Sequence, residues 1–154
     1  NGTNQYMNNA SFTQAAITTS TNFTWMGLIY YNTAGNAVVF GARTASLNFC
    51  KLTPANFEIY PSLTSAAMSF AAWKFVAVVK SGTTVSVYNS ASLQSYSTSF
   101  TGTTSSTIPF YIGGDPIASE WFSGRIAMVA VYNRALSFSE VLQMDYFTGT
   151  NYGT

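Results

Sequence analysis

An all-β fold, two antiparallel sheets packed face to face with one short C-terminal helix, is predicted by three features of the sequence. Short stretches of alternating apolar and polar residues recur along the chain, giving about ten to twelve strands spaced about 8 to 15 residues apart. Clusters rich in Gly, Asn, Ser and Pro separate them. Near the end, Ser137 and Glu140, flanked by Leu136 and Val141, form a capping box with its hydrophobic staple and mark a helix start.

Taken in order, the polar opening from Asn1 to Ala10 reads as irregular, with Tyr6 and Met7 as its anchors. Phe12, Ala15 and Ile17, then Phe23, Trp25, Gly27 and Ile29, give two strands separated by the turn-prone Thr18 to Asn22. Asn32 to Asn36 is a loop leading to a strand over Ala37 to Ala42, and a hairpin is the simplest connection. Ser46 to Leu52 and Ala55 to Tyr60 follow, with Pro54 and Pro61 at strand ends. Trp73 to Lys80 alternates cleanly, and Ser81-Gly82 turns it into Thr84 to Asn89, a hairpin signal. Ser90 to Thr107 supplies one or two edge strands around Leu93, Tyr96 and Phe100, and Ile108 to Gly114 another strand. A loop over Asp115 to Ser123 precedes the strand Gly124 to Tyr132, whose face Ile126, Met128, Ala130 and Tyr132 reads as core. The helix after Ser137 should pack through Val141, Leu142 and Tyr146, leaving Thr148 to Thr154 as a tail.

The 154 residues are read as one domain over 1–154, part or processed product of a longer protein. Only 7% of residues are charged, against about 25% in an ordinary soluble domain. Ser, Thr and Asn supply about a third. With a net charge of +1 and scattered basic residues, there is no footprint for nucleic acid or anionic lipid. No apolar run is long enough to insert in a membrane. The single cysteine, Cys50, excludes an intrachain disulfide, and the sequons at Asn1, Asn9 and Asn22 match chance expectation. A polar, nearly uncharged surface fits an extracellular, cell-surface or virion-surface location.

Several segments together resemble the concanavalin A-like superfamily and its laminin-G-like branch. They are Phe23-Thr-Trp25, Trp73 to Lys80 followed by Val85 to Asn89, Tyr111-Ile-Gly-Gly114, and Phe122 to Ile126 running into Val131 to Ser137 and Glu140-Val141. The resemblance implies a jelly-roll sandwich of two curved sheets and a non-catalytic adhesive or carbohydrate-binding role. It also implies a calcium site in some members and polysaccharide-cleaving relatives.

The residues narrow these options. Glycoside hydrolysis normally needs two positioned carboxyls. The chain has only Glu58, Asp115, Glu120, Glu140 and Asp145, lacks the Glu-x-Asp-x-x-Glu signature of the glucanase relatives, and contains no histidine. No catalytic residue is assigned, and the chain is read as a non-enzyme. For calcium, Asp115 and Glu120 are the candidate ligands. Ala127 and Met128 stand where many relatives carry acids, which favours Asp115 as a turn residue and Glu120 as solvated, with no cofactor expected. For a glycan, Trp121 is the first candidate, because Phe122 matches the family's core position and leaves Trp121 pointing away from it. Tyr30, Tyr31 and Asn32 are a second group, whereas Trp25, Trp73 and Phe75 are read as core. Two functions follow: a glycan-recognition or adhesion module, or a structural or decoration domain of a virion, fibre or surface layer whose partners are neighbouring protein subunits.

Overall fold

The computed structural model describes residues 5–15, 18–32, 37–45, 48–54, 57–59, 62–64, 72–89, 98–99 and 107–152. Thirteen strands and one helix lie among them: β1 (Met7–Ala15), β2 (Phe23–Tyr31), β3 (Phe40–Ala45), β4 (Asn48–Leu52), β5 (Phe57–Ile59), β6 (Ser62–Thr64), β7 (Trp73–Ser81), β8 (Thr84–Asn89), β9 (Thr98–Ser99), β10 (Thr107–Ile112), β11 (Gly114–Asp115), β12 (Glu120–Trp121), β13 (Gly124–Tyr132) and α1 (Phe138–Tyr152). A six-stranded sheet has the order β1-β10-β3-β4-β5-β6, a five-stranded sheet the order β13-β2-β7-β8-β9, and β11 and β12 form a separate pair. The expected antiparallel sandwich is present, with the helix as a third layer.

Trp25 joins the two sheets. It is fully buried in β2, stacks on Phe23 at 4.8 Å, and meets Phe40, Phe57 and Phe110 of the opposite sheet edge-on at 6.2, 6.3 and 5.0 Å. Such offset and perpendicular contacts add about 0.5–1.5 kcal/mol each beyond the burial of area. Val76, Val78, Val85 and Val87 complete the five-stranded side of this core, and Cys50, Leu52 and Ile59 the other. Burial pushes the Cys50 thiol up, so it behaves as a small apolar residue.

A second core lies on the far face of the five-stranded sheet, where Met26, Phe75, Ala77 and Val79 pack against Leu136 and Val141. Both faces of β2 and β7 are therefore covered, which is why Phe23 to Ile29 and Phe75 to Lys80 are buried without alternation. Thr24 fits this setting because its Oγ1 donates to the Arg134 carbonyl at 3.0 Å and accepts from Leu136 N–H at 2.9 Å.

The capping box is formed in full: Ser137 N–H donates to Glu140 Oε2 at 2.8 Å, and Glu140 N–H donates to Ser137 Oγ at 3.4 Å. Arg134 adds an ion pair to Glu140 Oε1 at 2.7 Å. Hydrogen bonding from Arg134, then from Ser137, depresses the Glu140 carboxyl from 4.5 to about 2. A carboxyl depressed in the folded state contributes stability that is complete above its unfolded value and lost as pH falls through the folded one. The advantage of the wild type over Glu140→Gln in thermal unfolding should accordingly be constant above pH 4.5 and vanish towards about pH 2. A pH-independent difference between the two proteins would show that the cap, not the charge, carries the effect.

Several expectations are corrected. The irregular opening is a strand from Met7, because it pairs with β10 at Met7↔Ile112 and Asn8↔Tyr111. The connection after β2 is not a hairpin: β2 and β3 belong to different sheets. The Asp115 to Ser123 loop contains the β11–β12 pair. α1 continues to Tyr152 and buries Val141 and Thr148, whereas Leu142 and Tyr146 are 39% and 77% exposed, one step around the helix from the packed face. In β13 the ladder passes from Ile126↔Ile29 to Met128↔Leu28, so a bulge at Ala127 shifts the alternation. Ile126, Val129 and Val131 pack on the inter-sheet core, and Met128, Ala130 and Tyr132 on the helix side. Residues 33–36, Ile17, Pro61, 90–97 and Phe100, which carry parts of the strand and loop assignments, lie outside the described residues.

Candidate functional site

The β11–β12 pair lies across the outer face of the six-stranded sheet. Tyr111, Gly41, Lys51 and Glu58 are aligned across β10, β3, β4 and β5 on that face, and Arg43 lies two residues from Gly41. Asp115 forms an ion pair with Arg43, and the side chains are 3% and 7% exposed. Its other oxygen accepts from Ile117 N–H at 3.0 Å and Ala118 N–H at 3.2 Å, closing the turn in which Ser119 adopts φ 57°. Glu120 pairs with Lys51 at 2.6 Å, and Glu58 reaches the same ammonium at 3.5 Å.

These contacts decide what the acids can do. Asp115 is the expected turn residue, but Glu120 is not solvated; it is an anchor of the hairpin on the sheet. Calcium at Asp115 and Glu120 would have to displace a guanidinium and an ammonium that already neutralise them, so the donor set does not fit that ion. No group of three or more His, Cys, Asp or Glu side chains suited to a metal occurs among the described residues. Glu58 and Glu120 share one ammonium as ion-pair partners, an arrangement different from one acid and one base.

Trp121 is directly opposite Gly114 in the β11–β12 ladder, and its ring covers the glycine: a Cβ at Gly114 would stand 2.7 Å from Trp121 Cε3. Tyr6 stacks on Trp121 with centroids 5.8 Å apart and an interplanar angle of 28°, and meets Tyr111 edge-on at 5.7 Å. Trp121 is half-buried, and the most exposed ring of the three is Tyr6, at 41%. Beside them opens a cleft of about 220 Å³ whose walls include Tyr6, Gly113, Phe122, Gly124 and Ile126. Burial, then the neighbouring Asp115 and Tyr6, raise the Tyr111 hydroxyl above its ordinary value.

Tyr30, Tyr31 and Asn32 do not act together. Alternation along β2 sends Tyr31 inward, where it is 4% exposed and meets Phe122 edge-on at 4.9 Å, so Tyr31 is removed from the exposed candidates. Tyr30 faces outward on the five-stranded sheet, with Trp73 edge-on at 5.8 Å and the Arg125 guanidinium 5.6 Å from its ring centroid. Asn32 is exposed just past the strand end. Trp73, expected in the core, is half-buried beside Tyr30 instead, while Trp25 and Phe75 are buried as expected. The sequence put forward neither Tyr6 nor Trp73 as a candidate and favoured a solvated or structural role for Arg125 over anion binding, because the ring contacts of all three are made with residues remote in the chain. The available signal was modest: Trp73 begins its strand, where the helix-covered stretch has not yet started.

The two-sheet sandwich agrees with comparisons to known proteins. A laminin-G-type family model, described as the concanavalin A-like lectin/glucanases superfamily, matches residues 2–142. The chain belongs to this superfamily. No curated protein sequence matches it significantly. Among solved structures, the superfamily member described here is similar to domain 4 of AbnA, a GH43 extracellular arabinanase from Geobacillus stearothermophilus, solved in complex with arabinotriose. That match has 16% identity and a TM-score of 0.65, and covers 86% of this chain and 71% of that one. It is also similar to part of Trypanosoma rangeli sialidase in complex with sialic acid, at 17% identity and a TM-score of 0.56, covering 86% of this chain and 23% of the sialidase. At such identities the likeness is one of fold. No described helix is long and apolar enough to cross a membrane.

Proposed function

We propose that this superfamily member is a non-catalytic glycan-recognition module acting outside the cell, with its binding edge at Tyr6 and Trp121. The observation that carries the reading is the stacking on Trp121 of Tyr6, an exposed ring that also lines the cleft. A pyranose ring has apolar faces and hydrogen-bonding edges, so it is held by an aromatic ring beside polar groups. Tyr6 offers an exposed ring whose orientation is fixed on two sides, by Trp121 and by Tyr111. Trp121 acts mainly by holding Tyr6, which places the exposed part of the platform on a residue other than the one expected to form it. The arabinotriose complex of a similarly folded domain supports the ligand class. An extracellular setting is supported by the neutral, polar composition and by the extracellular arabinanase whose domain 4 has the same fold.

The test is a glycan array followed by titration calorimetry. Binding of at least one neutral oligosaccharide is expected, weakened about tenfold, or about 1.4 kcal/mol, by Tyr6→Ala and by Trp121→Ala. A flat array at high protein concentration, or full affinity in both variants, would reject the reading. In that case oligomerisation or docking to a partner protein would favour the structural-domain alternative.

A further inference from the structure

We infer a second, separate binding site on the outer face of the five-stranded sheet, built from Arg125, Tyr30 and Trp73 and suited to a carboxylated saccharide. The ladder places the three residues in one row: Arg125 is directly opposite Tyr30, and Tyr30 is directly opposite Trp73. Tyr30 and Trp73 stand on β2 and β7, which are paired on both sides within the sheet, and Arg125 stands beside them on the edge strand β13. Tyr30 and Trp73 meet at 63°, forming a corner in which one ring can present its face and the other its edge. The guanidinium is held over the Tyr30 ring, within the range of a cation–π contact.

Charge accounting points to the ligand. All six basic and five acidic side chains of the sequence lie among the described residues. Arg43 is taken by Asp115, Lys51 by Glu58 and Glu120, and Arg134 by Glu140. Lys74 acts electrostatically on Asp145, and the buried Lys80 ammonium donates to backbone carbonyls. Among the described residues no carboxylate lies within ion-pair range of Lys74, Lys80 or Arg125, and of these three Arg125 alone is exposed, Lys74 being half-buried and Lys80 buried. An exposed planar cation beside two aromatic rings matches a ligand that carries a carboxylate on a ring with apolar faces, as a uronic acid does. Asn32, two residues beyond Tyr30 and exposed, adds an amide near the same end of the strand. An acidic peptide would use the guanidinium but gain little from the aromatic corner, which is why the sugar acid is the assigned class.

The site does not depend on the Tyr6–Trp121 edge, and the experiment separates the two. Trigalacturonic acid, its fully methyl-esterified form and a glutamate tripeptide are titrated into the intact protein at low salt, with Trp fluorescence and calorimetry as readouts. Trigalacturonate should bind at least about tenfold more tightly than the ester or the tripeptide. Arg125→Gln should remove that preference, Arg125→Lys should restore part of it, and Trp73→Ala should weaken both sugars. Trp121→Ala should leave trigalacturonate binding unchanged. Equal binding of acid and ester, equal binding of the tripeptide, or indifference to Arg125→Gln would overturn the assignment. Loss of trigalacturonate binding in Trp121→Ala alone would transfer the ligand to the first edge and overturn it equally.

Discussion

Replacing Lys80 by methionine is expected to lower stability by about 3 kcal/mol and the melting temperature by about 6 to 12 °C. Lys80 is fully buried at the end of β7, and its ammonium donates to the carbonyls of Thr18 at 2.7 Å, Thr21 at 2.7 Å and Gly82 at 2.5 Å. These three acceptors use all three N–H groups of the charged form; a neutral amine has only two. Burial lowers the pKa of this lysine, so the carbonyl cage is what holds a charge in an otherwise unfavourable place. The cage also ties the turn before β2 to the turn after β7. Methionine matches the stem but supplies no donor, leaving three carbonyls to find water or remain unpaired. Each buried group left unsatisfied costs about 1–3 kcal/mol, and water entry recovers part of that. Circular dichroism melts of the two proteins provide the measurement. A melting temperature within about 2 °C of wild type would show that the cage is not structural.

The second large effect is expected at Gly124, where alanine should cost about 2 to 3 kcal/mol through overpacking. A Cβ at this position would collide with the Tyr30 carbonyl oxygen and stand 2.5 Å from Phe122 Cζ and 2.8 Å from Phe122 Cε1. One neighbour is backbone and the other is a buried ring wedged against Tyr31, so neither yields cheaply. The sign is the diagnostic. A glycine replaced by alanine at a strand position with free space usually stabilises by about 0.4–1 kcal/mol, because the unfolded chain loses freedom. Chemical denaturation should therefore show a clear loss for Gly124→Ala, and Phe122→Leu in the same chain should recover part of it. A variant as stable as wild type would mean that the ring swings aside at no cost.

Much of the architecture is legible residue by residue. The β7–β8 hairpin follows from Trp73 to Lys80, Ser81-Gly82 and Thr84 to Asn89, and it forms with Val78 opposite Val87. The helix start follows from Ser137 and Glu140, because a cap is made by residues three apart. Local patterns were misleading where a remote surface changed the meaning of burial. Trp73 and Phe75 share one face of β7, yet Phe75 lies beneath α1 and Trp73 beyond it. The Ala127 bulge separates Ile126 from Met128, although nothing in the continuous apolar run from Ile126 to Tyr132 marks the break.

The same distinction divides the candidate sites. Trp121 could be singled out because Phe122 occupies the core position beside it, and the exposed side of a two-residue strand follows from its neighbour. Tyr6 could not, because its role is created by Trp121, 115 positions along the chain. The roles of Asp115 and Glu120 were likewise set by Arg43 and Lys51 on another layer. By itself, the sequence determined the sheet-forming periodicity, the helix cap, the superfamily and the scarcity of charge, all of which are encoded by near neighbours or by composition. Only the tertiary structure decided which strands share a sheet, which aromatics are covered and which cation is left exposed with no carboxylate in ion-pair range. Those depend on contacts between segments far apart in the chain, whose register no local pattern specifies.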